Sequence, residues 1–85
     1  MLVISKKSGG RFKVAGIRFS VIKILPGQVI LEYDYGGAPK VLMTGMSQRV
    51  EFEGDVFMKV KEVTQSRVKL AFDIPESANV SFKGN

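Results

Sequence analysis

Hydrophobic and polar residues alternate with a period of two along most of this chain. Val68, Leu70 and Phe72 alternate with Lys69 and Ala71. Val56, Met58 and Val60 alternate with Phe57, Lys59 and Lys61, and Leu2, Ile4 and Lys6 with Val3, Ser5 and Lys7. Such alternation sends every second side chain to one face of a sheet. Turn residues punctuate the runs at Ser8-Gly9-Gly10, Ala15-Gly16, Pro26-Gly27, Gly36-Gly37 and Glu53-Gly54-Asp55. Pro26-Gly27 reads as a hairpin turn, because proline presets φ at one corner and glycine accepts a positive φ at the next. The pattern predicts strands near 1–7, 10–15, 17–25, 28–35, 40–44, 48–53, 55–63, 67–73 and 78–82. Val41 to Phe52 is the ambiguous stretch: a helical turn also fits, although Gly45 would cost a helix about 1 kcal/mol. Nine short strands joined by tight turns predict an all-β fold, a small sandwich or barrel.

The strand pattern occurs twice. Val14-Ala15-Gly16-Ile17-Arg18-Phe19 returns as Phe52-Glu53-Gly54-Asp55-Val56-Phe57, an offset of 38. Val29-Ile30-Leu31-Glu32-Tyr33-Asp34 returns as Val68-Lys69-Leu70-Ala71-Phe72-Asp73, an offset of 39, so one residue is gained between the blocks. Each copy then reaches a proline, Pro39 or Pro75. Two units of this length cannot each bury an apolar face alone, so they are expected to close on one another as a pseudo-two-fold object. The expectation is one domain over 1–85, with repeat one at about 1–44 and repeat two at about 45–85. Tyr33 and Phe72 hold equivalent positions, which points to core packing for both.

Composition narrows the chemistry. The 85 residues contain no cysteine and no histidine. Disulfides and thiolate metal sites are excluded, and the commonest general base is missing. No nucleotide-binding glycine signature occurs. An enzyme is therefore not expected, and neither is a cofactor or a bound metal. The acids Glu51, Glu53 and Asp55 read as a solvated face. No run reaches the roughly 18 apolar residues of a membrane span. Met1-Leu2-Val3-Ile4 precedes its cations, the reverse of a secretory signal, so a cytoplasmic location is expected. The net charge is +5, and residues 1–45 carry the whole surplus, with seven Lys/Arg against two acids. Residues 46–85 hold six of each. Lys6, Lys7, Arg11, Lys13, Arg18 and Lys23 all precede the first acid. This is the electrostatic footprint of a polyanion partner.

The most specific segment is Met1-Leu2-Val3-Ile4-Ser5-Lys6-Lys7-Ser8-Gly9-Gly10, an apolar strand ending in two adjacent cations and a small-residue turn. Neighbouring strand residues point to opposite faces, so Lys6 and Lys7 cannot both be buried. With the Gly16 turn, Val68-Lys69-Leu70-Ala71-Phe72-Asp73-Ile74-Pro75, and Ala38-Pro39-Lys40 in the first copy, the chain resembles the carbon storage regulator family. Those proteins are small bacterial RNA-binding regulators of translation. The likeness spans nearly the whole chain and rests on the order, spacing and duplication of short pieces.

The resemblance implies a fold of interleaved strands and an RNA site where the first strand of one unit meets the last strand of the other. The ligand it implies is a GGA-type element, single-stranded or in a hairpin loop of an mRNA leader. It assigns RNA binding to Ile4, Ser5, Lys6 and Lys7, and to Phe82 and Lys83 of the strand expected at 78–82. Arg11 and Lys13 are candidates for further phosphate contacts. All the carried-over cations are lysines, which lack the bidentate fork that reads a guanine edge. Thr44-Gly45-Met46 stands where Ser5-Lys6-Lys7 is expected in the second copy, so one functional site and one degenerate site are expected, in a monomer acting as a pseudo-dimer. The alternative is a protein-interaction module that pairs its edge strands with a regulator subunit or another partner and binds no RNA.

Overall fold

The computed structural model describes residues 1–75. It contains eight strands: β1 (Leu2–Lys7), β2 (Arg11–Val14), β3 (Ile17–Leu25), β4 (Gln28–Asp34), β5 (Lys40–Gly45), β6 (Arg49–Phe52), β7 (Val56–Val63) and β8 (Arg67–Asp73). These agree with the first eight expected strands to within one or two residues. The ninth, at 78–82, lies outside the described residues. Within residues 41–52, 41–45 and 49–52 are strand, supplying most of β5 and all of β6, and the segment 46–48 separates them. Among the described residues no helix is long and apolar enough to cross a membrane.

The strands form two four-stranded antiparallel sheets, ordered β1-β8-β7-β6 and β2-β3-β4-β5. The second sheet is a plain meander. The first is closed by the start of the chain, because β1 adds to β8 with Leu2 opposite Phe72, Ile4 opposite Leu70 and Lys7 opposite Arg67. β1 therefore takes on β8 the place that β5 takes on β4. Two three-residue segments carry the chain between sheets, Ser8–Gly10 after β1 and Met46–Gln48 after β5. Each docks where a strand of the other sheet is irregular. Gly9 N–H donates to Val21 O (2.7 Å) and Val21 N–H to Gly10 O (2.8 Å), beside the bulge between Val21 and Lys23. Met46 makes its bridge to Val60, beside the bulge between Val60 and Glu62.

The positions of the two sheets correspond, but the added residue is not where the sequence blocks suggested. Val14 pairs with Ile17 across a two-residue turn, in which Ala15 and Gly16 both have positive φ. Phe52 pairs with Val56 across three residues, Glu53 to Asp55. The gain thus falls inside the first block, at this turn. It moves Phe57 to the sheet position of Arg18 and places Met58, fully buried, at that of Phe19.

The inward phases of both sheets form one core. Phe19 stands at its centre, stacked on Phe12 at 5.0 Å and edge-on to Phe52 and Phe72 at 5.2 and 5.3 Å. Phe12 and Phe19 belong to one sheet, Phe52 and Phe72 to the other, so the aromatic cluster joins the layers. Tyr33 packs against Phe52 at 5.1 Å and Phe72 is fully buried, so both serve the core as expected. Truncating such a residue removes its burial free energy and leaves a cavity, at a cost of about 3–5 kcal/mol. A small domain has only about 5–15 kcal/mol in total. Phe19→Ala is expected to lose most of the cooperative urea transition, whereas Val3→Ala, on an exposed position, leaves the midpoint nearly unchanged. Equal midpoints for the two variants would remove Phe19 from its central role.

Candidate nucleic-acid interface

β1 splits its residues between two faces. Ile4 is 5% exposed and its side chain belongs to the core. A contact from Ile4 to RNA would therefore use its backbone, since its side chain is committed to the core. Lys6 follows on the same inward phase and is half-buried. Its stem lies along the β1–β2 turn, where a Cβ on Gly10 would stand 3.2 Å from Lys6 Cβ and Cδ and 3.0 Å from Lys7 O. Glycine at position 10 lets the turn close over this lysine.

Ser5 and Lys7 point outward. Their neighbours come from β8: Lys7 lies opposite Arg67 and Ser5 opposite Lys69. Arg67 Nη1 donates to Ser5 Oγ at 3.4 Å. Arg67 is held by its own loop, where its N–H donates to Thr64 Oγ1 at 3.0 Å and its carbonyl accepts from Thr64 N–H at 2.8 Å. Lys69 reaches across to Glu62 at 3.3 Å. Lys7 and Arg67 thus form an exposed cationic pair with a serine hydroxyl beside it. Two like charges held together in water repel only modestly, and the pair becomes favourable when a polyanion spans both.

Arg67 and Lys69 were not among the residues singled out from sequence. The signal for them was partial: they lie on the outward phase of 67–73, but nothing local says that this strand receives β1. Arg67 supplies the guanidinium fork that the paired lysines lack. Arg11 and Lys13 lie on β2, in the other sheet, exposed and opposite Ser20 and Arg18. They do not share the face of Lys7. Phe82 and Lys83 lie outside the described residues.

The matching edge of the other sheet has different chemistry. Met43, Thr44 and Gly45 stand opposite Ile30, Val29 and Gln28, as Ser5, Lys6 and Lys7 stand opposite Lys69, Val68 and Arg67. The counterpart is therefore Met43-Thr44-Gly45, one residue before the stretch expected from sequence. Thr44 is buried, and a Cβ on Gly45 would come within 2.9 Å of Gly27 O, so no side chain fits where Lys7 has its counterpart. Val41 and Met43 are 65% and 60% exposed. At this end one edge is cationic and the other is neutral and apolar.

Asp34 is the charged group most affected by its surroundings. Gly36 N–H donates to its carboxylate at 2.9 Å, and Arg18 reaches the same oxygen through Nε at 3.0 Å and Nη2 at 2.8 Å. The backbone N–H, followed by the Arg18 bond, holds the carboxyl below its ordinary value of 3.8. Among the described residues no cluster of metal-ligating side chains occurs. Compared with protein-family models, curated proteins and solved structures, the chain matches none.

A carboxyl whose folded value is depressed stabilises the fold above its unfolded value, and that contribution is lost as pH falls through the folded value. Asp34→Asn is expected to lower Tm at pH 7, with the gap to the unaltered protein closing at about pH 2, below the ordinary carboxylate range. A gap for Asp34→Asn that is equally large at both pH values would show that the carboxylate charge is not its source.

Proposed function

We propose that this chain is an RNA-binding post-transcriptional regulator that holds a GGA-type element of an mRNA leader, single-stranded or in a loop, through one functional site. The contrast between the two sheet edges carries the reading. Lys7, Arg67 and Ser5 make one edge cationic and rich in donors, while Gly45, Gln28 and Met43 make the other neutral. Single-stranded RNA offers a phosphate at every nucleotide and bases free to be splayed, and cations at the end of a strand suit the phosphates. The guanidinium of Arg67 can make two parallel bonds to a phosphate or to the O6/N7 edge of guanine, which neither lysine can. Regulation by occupancy of a ribosome-binding site needs no catalytic group. The two sheets take the place of two subunits, so the active species is a monomer acting as a pseudo-dimer, in the cytoplasm.

The second reading, a protein-interaction module, has its own observation. Val41 and Met43 on β5 expose apolar side chains beside Ile30, at the edge strand of their sheet. A partner seated there would form a stoichiometric complex insensitive to RNA.

Fluorescence anisotropy with a labelled hairpin RNA carrying GGA in its loop tests the first reading. Lys7→Ala and Arg67→Ala should each weaken binding several-fold. Removing one cation from a phosphate should also flatten the slope of log affinity against log salt by about 0.7. Lys23→Ala, outside this edge, should change neither. Affinity and slope equal to those of the unaltered protein in both Lys7→Ala and Arg67→Ala would remove the site.

A further inference from the structure

The outer face of the β1-β8-β7-β6 sheet carries a second feature, at the end of β8 away from Arg67. A groove of about 220 Å³ is lined there by Arg49, Phe57, Lys59, Lys61, Ala71 and Asp73. Arg49 lies over the ring of Phe57, its guanidinium carbon 3.9 Å from the ring centroid. Phe57 is half-buried and outward-facing. At the matching position of the other sheet stands Arg18, which pairs with Asp34.

Asp73 lies directly opposite Phe57 and matches Asp34 in sheet position. It has neither of the partners that Asp34 holds. Phenylalanine replaces the arginine across the strand, and Pro75, which has no N–H, stands where Gly36 donates. The groove therefore combines a cation stacked on a ring, an acceptor-only carboxylate with neither of those donors, and two exposed lysines, Lys59 and Lys61.

We propose that this groove accepts a guanine base of single-stranded RNA. The proposal rests on the RNA-binding reading and adds a second base site to it. The base stacks on the guanidinium of Arg49, which Phe57 backs, since arginine planes and aromatic rings are both platforms for unstacked bases. The carboxylate of Asp73 accepts from N1–H and the N2 amino group of guanine, the one base edge that offers two adjacent donors to a single carboxylate. Lys59 and Lys61 meet the flanking phosphates. Six strand steps of about 3.4 Å separate Arg67 from Asp73, or about 20 Å, so one strand of RNA can occupy both ends of the face.

The test uses an RNA carrying GGA and a uridine tract with one further guanine, each guanine replaced in turn by inosine. Inosine lacks the N2 amino group but keeps O6 and N7, so it reports on Asp73 and not on Arg67. With the unaltered protein, one replacement should weaken binding about fivefold or more, and that penalty should vanish in Asp73→Asn. Arg49→Lys keeps the charge but loses the plane, and should weaken binding without changing the salt slope. Arg67→Ala should weaken the guanine and inosine RNAs alike. Retention of the full inosine penalty in Asp73→Asn, or no penalty at any guanine, overturns the groove while the effect of Arg67→Ala upholds the RNA reading. Absence of RNA binding by the unaltered protein overturns both.

Discussion

The pairing of β1 with β8 is the contact on which the rest depends. It joins the beginning of the chain to a strand more than sixty residues later, in a register that runs from Leu2–Phe72 to Lys7–Arg67. Shifting that register by one residue would turn Ile4 out of the core and Lys7 into it, so burial of Ile4 fixes where Lys7 stands. The same pairing completes the first sheet, whose other three strands lie between Arg49 and Asp73. Closing so long a loop costs entropy before its contacts form. Site and fold are therefore coupled: the cationic pair exists only when the sheet is closed.

Two sheets of the same order carry different outer faces, and the differences arise from single positions. Gly45 in place of Lys7 and Gln28 in place of Arg67 remove one cationic edge. Phe57 in place of Arg18 and Pro75 in place of Gly36 remove the partners of one aspartate. Such substitutions leave the core untouched, because Val29 and Val68, Leu31 and Leu70, and Tyr33 and Phe72 continue to face inward in both sheets. Two sheets of like order can thus carry different outer chemistry at little cost in stability, since outward positions contribute little to folding.

Much of the fold was legible in the sequence, for a physical reason. Period-two alternation is a direct record of which face of a strand is buried, and glycine, proline and aspartate mark where strands must turn. That is why eight strands and the opposed directions of Lys6 and Lys7 could be read from the chain. Pairing partners between distant strands leave no such local record, so Arg67 and Lys69 were missed, and nothing in the sequence showed that Arg11 and Lys13 lie in the other sheet from Lys7. The resemblance assigns Ile4 without separating side chain from backbone, and the structure commits its side chain to the core. The equivalence read from sequence slipped by one residue at two places, the turn inside the first block and the stretch set against Ser5-Lys6-Lys7. A three-residue turn can replace a two-residue one without disturbing the alternation on either side, and only the cross-strand register shows where the extra residue went.

Closure of the β1–β8 pair, on this reading, creates one cationic RNA site on one sheet edge alone. Amide chemical-shift mapping by NMR during titration with a GGA hairpin RNA tests it most directly. The amides of Ser5, Lys7, Arg67 and Lys69 should shift together and saturate at one equivalent, while those of Met43, Gly45, Gln28 and Ile30 stay in place. Shifts centred on β5 and β4, or spread equally over both edges, would contradict it.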